Sequence, residues 1–284
     1  MIEWRGVSLI SQLQGGSTMK EIIRNKAKEL GADLVGFLNL KDYKSVRSPN
    51  PLRYLPSARS IVVLAFKPLA GAYRYGENTW SKMPSYLYSV ESAGNTAAYH
   101  LGKFIEHEYA GECFLVQAHR PFEINEETFR SPIGTVSLRH AAVQSGLAVW
   151  GKNTLALTRE FGPRVMFLGL LNSLDLESDP AMKGYDPCKT CEYDCRFTCP
   201  GKAFTEEGRV LSHRCVKVSQ PDDVGNFMRF LVGMAEKPSM NERLEMLKSP
   251  RFFRHMQYLQ FFIHYHCDNC TRYCPGALAG SIKK

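Results

Sequence analysis

The sequence has no apolar run near the ~18 residues that cross a bilayer; its longest runs, SIVVLAF and VMFLGLL, are strand-sized. The amino terminus, MIEWRGVSLISQLQGGST, lacks a basic segment followed by an apolar stretch and has no twin-arginine pair, so the expected compartment is the cytoplasm, with no membrane partner. Neither G-x-G-x-x-G nor a P-loop is present, which leaves a nucleotide unsupported. With 44% hydrophobic and 23% charged residues, the composition excludes disorder and fibrous repeats. A reducing cytoplasm also has little use for disulfides. Yet the 284 residues include nine cysteines.

Eight of the nine fall in a dense pattern. DPCKTCEYDCRFTCPGKAF carries Cys188, Cys191, Cys195 and Cys199; HCDNCTRYCPGAL carries Cys267, Cys270 and Cys274; Cys215 stands between them in SHRCVKVSQ. Both motifs end in Cys-Pro. Zinc also accepts four thiolates, but its knuckles come as two pairs with no reason to end in Cys-Pro. The bacterial ferredoxin pattern C-x2-C-x2-C-x3-C-P does end so, and its last cysteine crosses to the neighbouring cluster. The first motif departs by one extra residue between Cys191 and Cys195. By the crossing rule, one [4Fe-4S] cluster takes Cys188, Cys191, Cys195 and Cys274, and the other takes Cys199, Cys215, Cys267 and Cys270. The formal charge of +8 then falls to about +4, because each cluster with its thiolates carries roughly −2. The ninth cysteine, Cys113 in CFLVQA, reads as a small core residue.

Along the chain, residues 1–18 read as a loosely ordered extension and Met19 opens an amphipathic helix capped by Gly31. Strands DLVGFLNL, ARSIVVLAF, CFLVQA and RVMFLGLLNSL alternate with helices PSYLYSVESAGNTAAYHLGKFIEHEYAG and SLRHAAVQSG, an α/β texture. SDPAMKGYDP marks a boundary. The expected organisation is an α/β (α+β) cofactor domain over 19–183 and a small, mostly helical ferredoxin-like domain over 184–284, with a helical insertion over about 221–265. Gly146, Gly151 and Gly162 stand where a turn or close approach is needed.

AAVQSGLAVWGKNTLALTREFGPRVMFLGLLNSLDLE, followed by four cysteines, RC and C-x2-C-x3-CP, resembles the epoxyqueuosine reductases and their corrinoid-dependent relatives, the reductive dehalogenases. The resemblance implies a nitroreductase-like domain holding cobalamin, fed by a ferredoxin-like domain with two [4Fe-4S] clusters. Gly151, Lys152, Asn153, Thr154 and Ala156 match the family segment that lines the corrinoid, and Trp150 stands beside it as a cover for the cofactor or as core. The eight cysteines match the family's cluster ligands. The family's proton-donor aspartate has no counterpart: its position falls near Pro132, and no carboxylate lies between Arg130 and Gly151. A longer stretch separates Cys215 from Cys267, and the carboxyl-terminal helical-repeat domain is missing.

The expectation is an iron-sulfur oxidoreductase that passes electrons through two clusters to a corrinoid, reducing a small organic or nucleoside-like substrate. Its donor would be a ferredoxin or flavodoxin. The alternative is an electron carrier serving a partner redox protein. A flavin in the corrinoid's place is the reading added by the nitroreductase likeness, and a tRNA partner is inherited from the resemblance alone. His264 and His266 are surplus to eight cysteines; Arg139 and His140 stand near the cofactor segment; Glu123, Glu126, Glu127 and Tyr185 are conceivable acids, none of which the sequence selects, so the catalytic residue stays unknown. The helix KSPRFFRHMQY reads as a solvated basic face or an RNA contact.

Overall fold

The computed structural model describes residues 18–46, 48–74, 87–118, 122–123, 126, 133–191, 195, 197–206, 210–261 and 267–276. In chain order its elements are α1 (Met19–Glu29), β1 (Leu34–Asn39), β2 (Ser60–Phe66), α2 (Gly71–Arg74), α3 (Ser89–Tyr109), β3 (Cys113–Val116), β4 (Phe122–Glu123), β5 (Ile133–Gly134), α4 (Leu138–Gln144), β6 (Ala148–Trp150), β7 (Ala156–Thr158), β8 (Met166–Asn172), α5 (Ser212–Ser219), α6 (Val224–Ala235), α7 (Met240–Leu247), α8 (Pro250–Phe261) and α9 (Asn269–Arg272). Among the described residues no helix is long and apolar enough to cross a membrane. The chain divides into two compact units: Met1–Lys67, Glu91–Val149 and Val165–Tyr185 form the first; Pro68–Val90, Trp150–Arg164 and Asp186–Lys284 form the second. The proposed extension, apart from Thr18, lies outside the described residues.

The first unit is built on a four-stranded sheet in the order β1-β2-β8-β3. Every pairing is antiparallel, so the class is mixed α+β, and the α/β texture of the sequence is corrected on this point. The reason is topological. β2 and β3 run parallel to each other, as a strand-helix-strand segment suggests, but β8 inserts between them and turns both contacts antiparallel. All seven residues of β2 and of β8 are buried. Helices cover both faces, which is what continuous apolar runs require. Leu168 and Leu170 meet Gly94 and Gly102 of α3 on one face, while Gly169 meets Leu138 of α4 on the other.

α1 starts where Thr18 accepts a hydrogen bond from the Glu21 N–H, and it ends before Gly31 at φ +103°. Asp179 covers the free edge of β1: its carboxylate accepts from the Phe37 N–H at 3.0 Å and pairs with Lys20 at 2.7 Å and Arg24 at 3.2 Å. Gly146 closes α4 at φ +71°, where a Cβ would come within 2.1 Å of the Pro180 carbonyl oxygen. Gly146→Ala combines a left-handed backbone penalty with that overlap and is expected to cost about 3 kcal/mol. A thermal melt of the variant checks this.

Cys113 on β3 is half-buried, not the core residue its apolar sequence setting suggests, and burial, reinforced by Glu106, pushes its thiol up to about 12. Only the thiolate attacks an alkylating agent. Native-state labelling with iodoacetamide near pH 8 should therefore modify Cys113 roughly a thousandfold more slowly than an ordinary thiol, whose pKa is about 8.5. Peptide mass mapping reads the outcome.

In the second unit, α6 and α8 share a small aromatic core. Phe230 packs on Phe252 at 6.1 Å and on the fully buried His255 at 5.5 Å between ring centroids. His255 Nδ1 lies 3.1 Å from the Asp222 carbonyl oxygen, and Arg254 pairs with the Asp222 carboxylate at 3.4 Å. Asp223 caps α6 by accepting from the Asn226 N–H; Ser239 and Glu242 form a reciprocal capping box on α7. Residues 224–261 thus form three helices, of which α6 and α7 carry their own start signals.

Candidate metal centre

The eight clustered cysteines lie in the second unit on loops and two short helices, α5 and α9. Local hydrogen bonds shape those loops. Asp186 accepts from the Cys188 N–H at 3.1 Å, starting a turn at the first thiol. The missing side chain of Gly201 lets the chain after Cys199 lie against α5, where a Cβ would stand 2.8 Å from the Arg214 carbonyl oxygen. That contact brings Cys199 to the helix that carries Cys215. Asn269 donates to the Thr198 carbonyl at 3.5 Å, tying the last cysteine motif to the first.

The thiols sort into two neighbourhoods. Cys195 is influenced by Cys274, Cys188 and Cys191, and Cys274 by Cys188 and Cys191. Cys267 is influenced by Cys215 and Cys199. Among the thiols, Cys270 is influenced first by Cys195 and then by Cys199, Cys267 and Cys215. The influences on Cys195, Cys274 and Cys267 come from within the sets of the crossing rule, whereas those on Cys270 begin with Cys195 of the other set.

Burial is the first cause of every resolved shift. It lifts Cys195 to about 11 and Cys270 to about 12, and it raises Cys267 and Cys274. Neighbouring thiols add to the rise, while the Arg164 charge opposes it at Cys274. Four clustered thiols that resist ionisation, Cys195, Cys267, Cys270 and Cys274, suit cationic metal, which reverses the balance by stabilising thiolate. Among the described residues, no three His, Cys, Asp or Glu side chains converge as a single-ion site. Two sulfurs already accept backbone N–H bonds at 3.4 Å, Cys188 from Lys152 and Cys199 from Ala203. Such bonds tune iron-sulfur potentials.

The GKNT turn serves these loops. Asn153 is 5% exposed; its Nδ2 donates to the Cys270 carbonyl at 3.1 Å, and its Oδ1 accepts from the Leu155 N–H at 3.1 Å. Thr154 takes φ +59° to close the turn, which returns the chain into β7 with Ala156 buried. Gly151 is small because a Cβ would strike Asn153 Oδ1 at 2.5 Å. Trp150, at 40% exposed, borders an open depression of about 390 Å³ with Gly151, Lys152, Asp186, Cys188 and Lys189. Of the six residues expected to line a cofactor, Trp150, Gly151 and Lys152 face this depression, whereas Asn153 faces the cysteine loops.

Sequence reasoning missed Arg164. It is 3% exposed, and its Nη1 donates to the Thr271 carbonyl at 2.9 Å and to the Cys274 carbonyl at 2.8 Å. The available signal was a lone charge, GPRVMFLGLL, opening a buried strand. In the first unit, His140 Nδ1 lies 2.6 Å from Ser137 Oγ. Glu126 is exposed and Glu123 lies on β4. Pro132, Glu127, His264 and His266 lie outside the described residues.

No family model matches the chain. Over 77 residues it is 39% identical to the epoxyqueuosine reductase of Lactococcus garvieae (strain Lg2), covering 26% of this chain and 20% of that protein. In fold it is similar to the epoxyqueuosine reductase of Streptococcus thermophilus, with TM-score 0.56 and 20% identity over 92% of this chain and 66% of that one. A reductive dehalogenase described for B12-dependent dehalogenation matches with TM-score 0.53 and 15% identity over 86% of this chain and 37% of that one. The same fold is seen in an epoxyqueuosine reductase bound to a tRNA stem loop. The chain spans less than two thirds of each of these proteins. It resembles epoxyqueuosine reductases and reductive dehalogenases in sequence and shares their fold.

Proposed function

We propose that this chain is an iron-sulfur oxidoreductase of the epoxyqueuosine reductase-like type, in which Cys188, Cys191, Cys195 and Cys274 hold one [4Fe-4S] cluster and Cys199, Cys215, Cys267 and Cys270 hold the other. The observation that supports this reading is the influence of Cys188 and Cys191 on both Cys195 and Cys274, and of Cys199 and Cys215 on both Cys267 and Cys270. When bound, the clusters supply one-electron chemistry, and a corrinoid supplies a reduced metal to a small organic or nucleoside-like substrate. Trp150, Gly151 and Lys152 are the residues of the second unit that would meet such a cofactor, at the depression that also touches Cys188.

This chain's residues bring no carboxylate between Arg130 and Gly151. An activity that needs a proton on a departing oxygen would have to take it from elsewhere, which favours a substrate other than epoxyqueuosine. A second reading, an electron carrier with no substrate of its own, is favoured by one observation: Asn153 is spent on the Cys270 loop. A tRNA substrate rests on the fold likeness.

Anaerobic purification followed by iron and cobalt analysis with visible and electron paramagnetic resonance spectra tests both readings. About eight irons per chain with bound corrinoid is the result expected of the reductase, and about eight without cobalt is that of the carrier. Two zinc ions per chain would overturn both.

A further inference from the structure

The two ends of the thiol array face different surroundings. Cys188 touches the depression beside Trp150 and Lys152. Cys215, at the other end, lies on α5 and is exposed, in a helix whose residues 212–217 are all exposed. A metal centre reached from outside is reached here.

The charges on α5 itself have one sign. α5, SHRCVKVS, contains His213, Arg214 and Lys217 and no carboxylate. His213 and Lys217 are four residues apart and share a face, with Cys215 turned to the other side of the helix. The loop after Cys199 adds exposed Lys202, held beside the helix because Arg214 Nη1 donates to its carbonyl at 3.3 Å. Within this cationic rim Val216 is 37% exposed, an apolar contact next to the charges. A rim of one charge around a small apolar centre is how transient partners are steered and oriented. Only a helix diameter of about 10 Å separates the outer face of α5 from its inner one.

We infer that the outer face of α5, with Lys202, Arg214 and Lys217, is the docking surface for an acidic one-electron carrier protein of the flavodoxin or ferredoxin class. The inference rests on the proposed iron-sulfur function, and it adds where the donor binds and which charge it carries. A basic patch also attracts RNA phosphates. The protein partner is favoured because the patch lies on the helix that carries the one exposed thiol of the array, which an RNA substrate does not need to approach.

The test is a titration of the anaerobic full-length holoprotein with purified, flavin-loaded acidic flavodoxin, read by calorimetry. Affinity should fall at least about tenfold between about 50 mM and about 300 mM NaCl, since surface charges are screened over that range. Lys202→Glu with Lys217→Glu should weaken binding at least about tenfold at the lower salt, while Lys237→Glu with Lys248→Glu, exposed positions on the helical insertion, should leave it within about twofold. Equal losses in both pairs, no loss in the first, or no flavodoxin binding at either salt would overturn the inference. So would a first pair that loses a tRNA stem loop and keeps flavodoxin. Iron content and visible absorption of each sample separate the two levels. If the wild type lacks an iron-sulfur spectrum, the proposed function falls and the docking face with it; if the spectrum is intact and the first pair binds normally, the docking face alone is wrong.

Discussion

Cys274→Ser is expected to leave about four of eight irons per chain, and adding Cys191→Ser is expected to remove no more. Combining Cys274→Ser with Cys215→Ser should instead remove nearly all of it. The argument is one of shared fate. A thiolate quartet that loses a corner releases its metal, so two losses within one quartet cost the same as one, while losses in different quartets add. The neighbours of Cys274 are Cys188, Cys191 and Cys195, although Cys270 is nearer in sequence. If each sequence motif instead held its own metal, the first double variant would be depleted and the assignment would be wrong. Iron assay and cluster absorption on anaerobic protein distinguish the outcomes. Structural loss should follow the metal: the described residues of 186–206 and 267–276 contain one short helix, α9, and metal binding energy in such loops is folding energy.

The eight thiols were legible because ligand chemistry imposes spacing on the sequence directly. C-x2-C and Cys-Pro survive as strings, and the thiols that influence Cys274 are Cys188 and Cys191 of the first motif. The sheet was legible in its parts and not in its order. SIVVLAF and VMFLGLL announce two strands buried on both faces, and both are. Nothing local says that β8 will insert between β2 and β3, because that choice depends on pairings such as Leu64 with Leu168, over a hundred residues apart in the chain. The GKNT turn shows a different limit. Its glycine and its left-handed Thr154 mark a tight turn with something close by, but a sequence does not say what. In the second unit the neighbour of Asn153 is the Cys270 carbonyl. Arg164 was invisible for a similar reason: a single arginine at the head of a strand looks like an edge charge, and only the fold sends it to the last cysteine loop.

Arg164→Met is expected to lower the melting temperature of the holoprotein by about 10 °C, from the loss of about 3–5 kcal/mol. Two carbonyls depend on this guanidinium, those of Thr271 and Cys274, and each bond to a charged donor is worth about 1.5–3 kcal/mol. Methionine fills comparable volume but satisfies neither oxygen, so the variant also carries the cost of buried acceptors left without partners. Arg164→Lys keeps the charge on a shorter stem and a single nitrogen, and should recover roughly half of the loss. The damage should be local as well as global. Arg164 grips the loop that carries Cys274, whereas Asn153 grips the carbonyl of Cys270. On exposure to an iron chelator, Arg164→Met should therefore release the Cys188–Cys191–Cys195–Cys274 half of the iron first, and Asn153→Ala the other half, seen as biphasic loss with opposite spectral order. Uniform release in both variants would mean that the two clamps hold the cysteine loops as one body, not one quartet each.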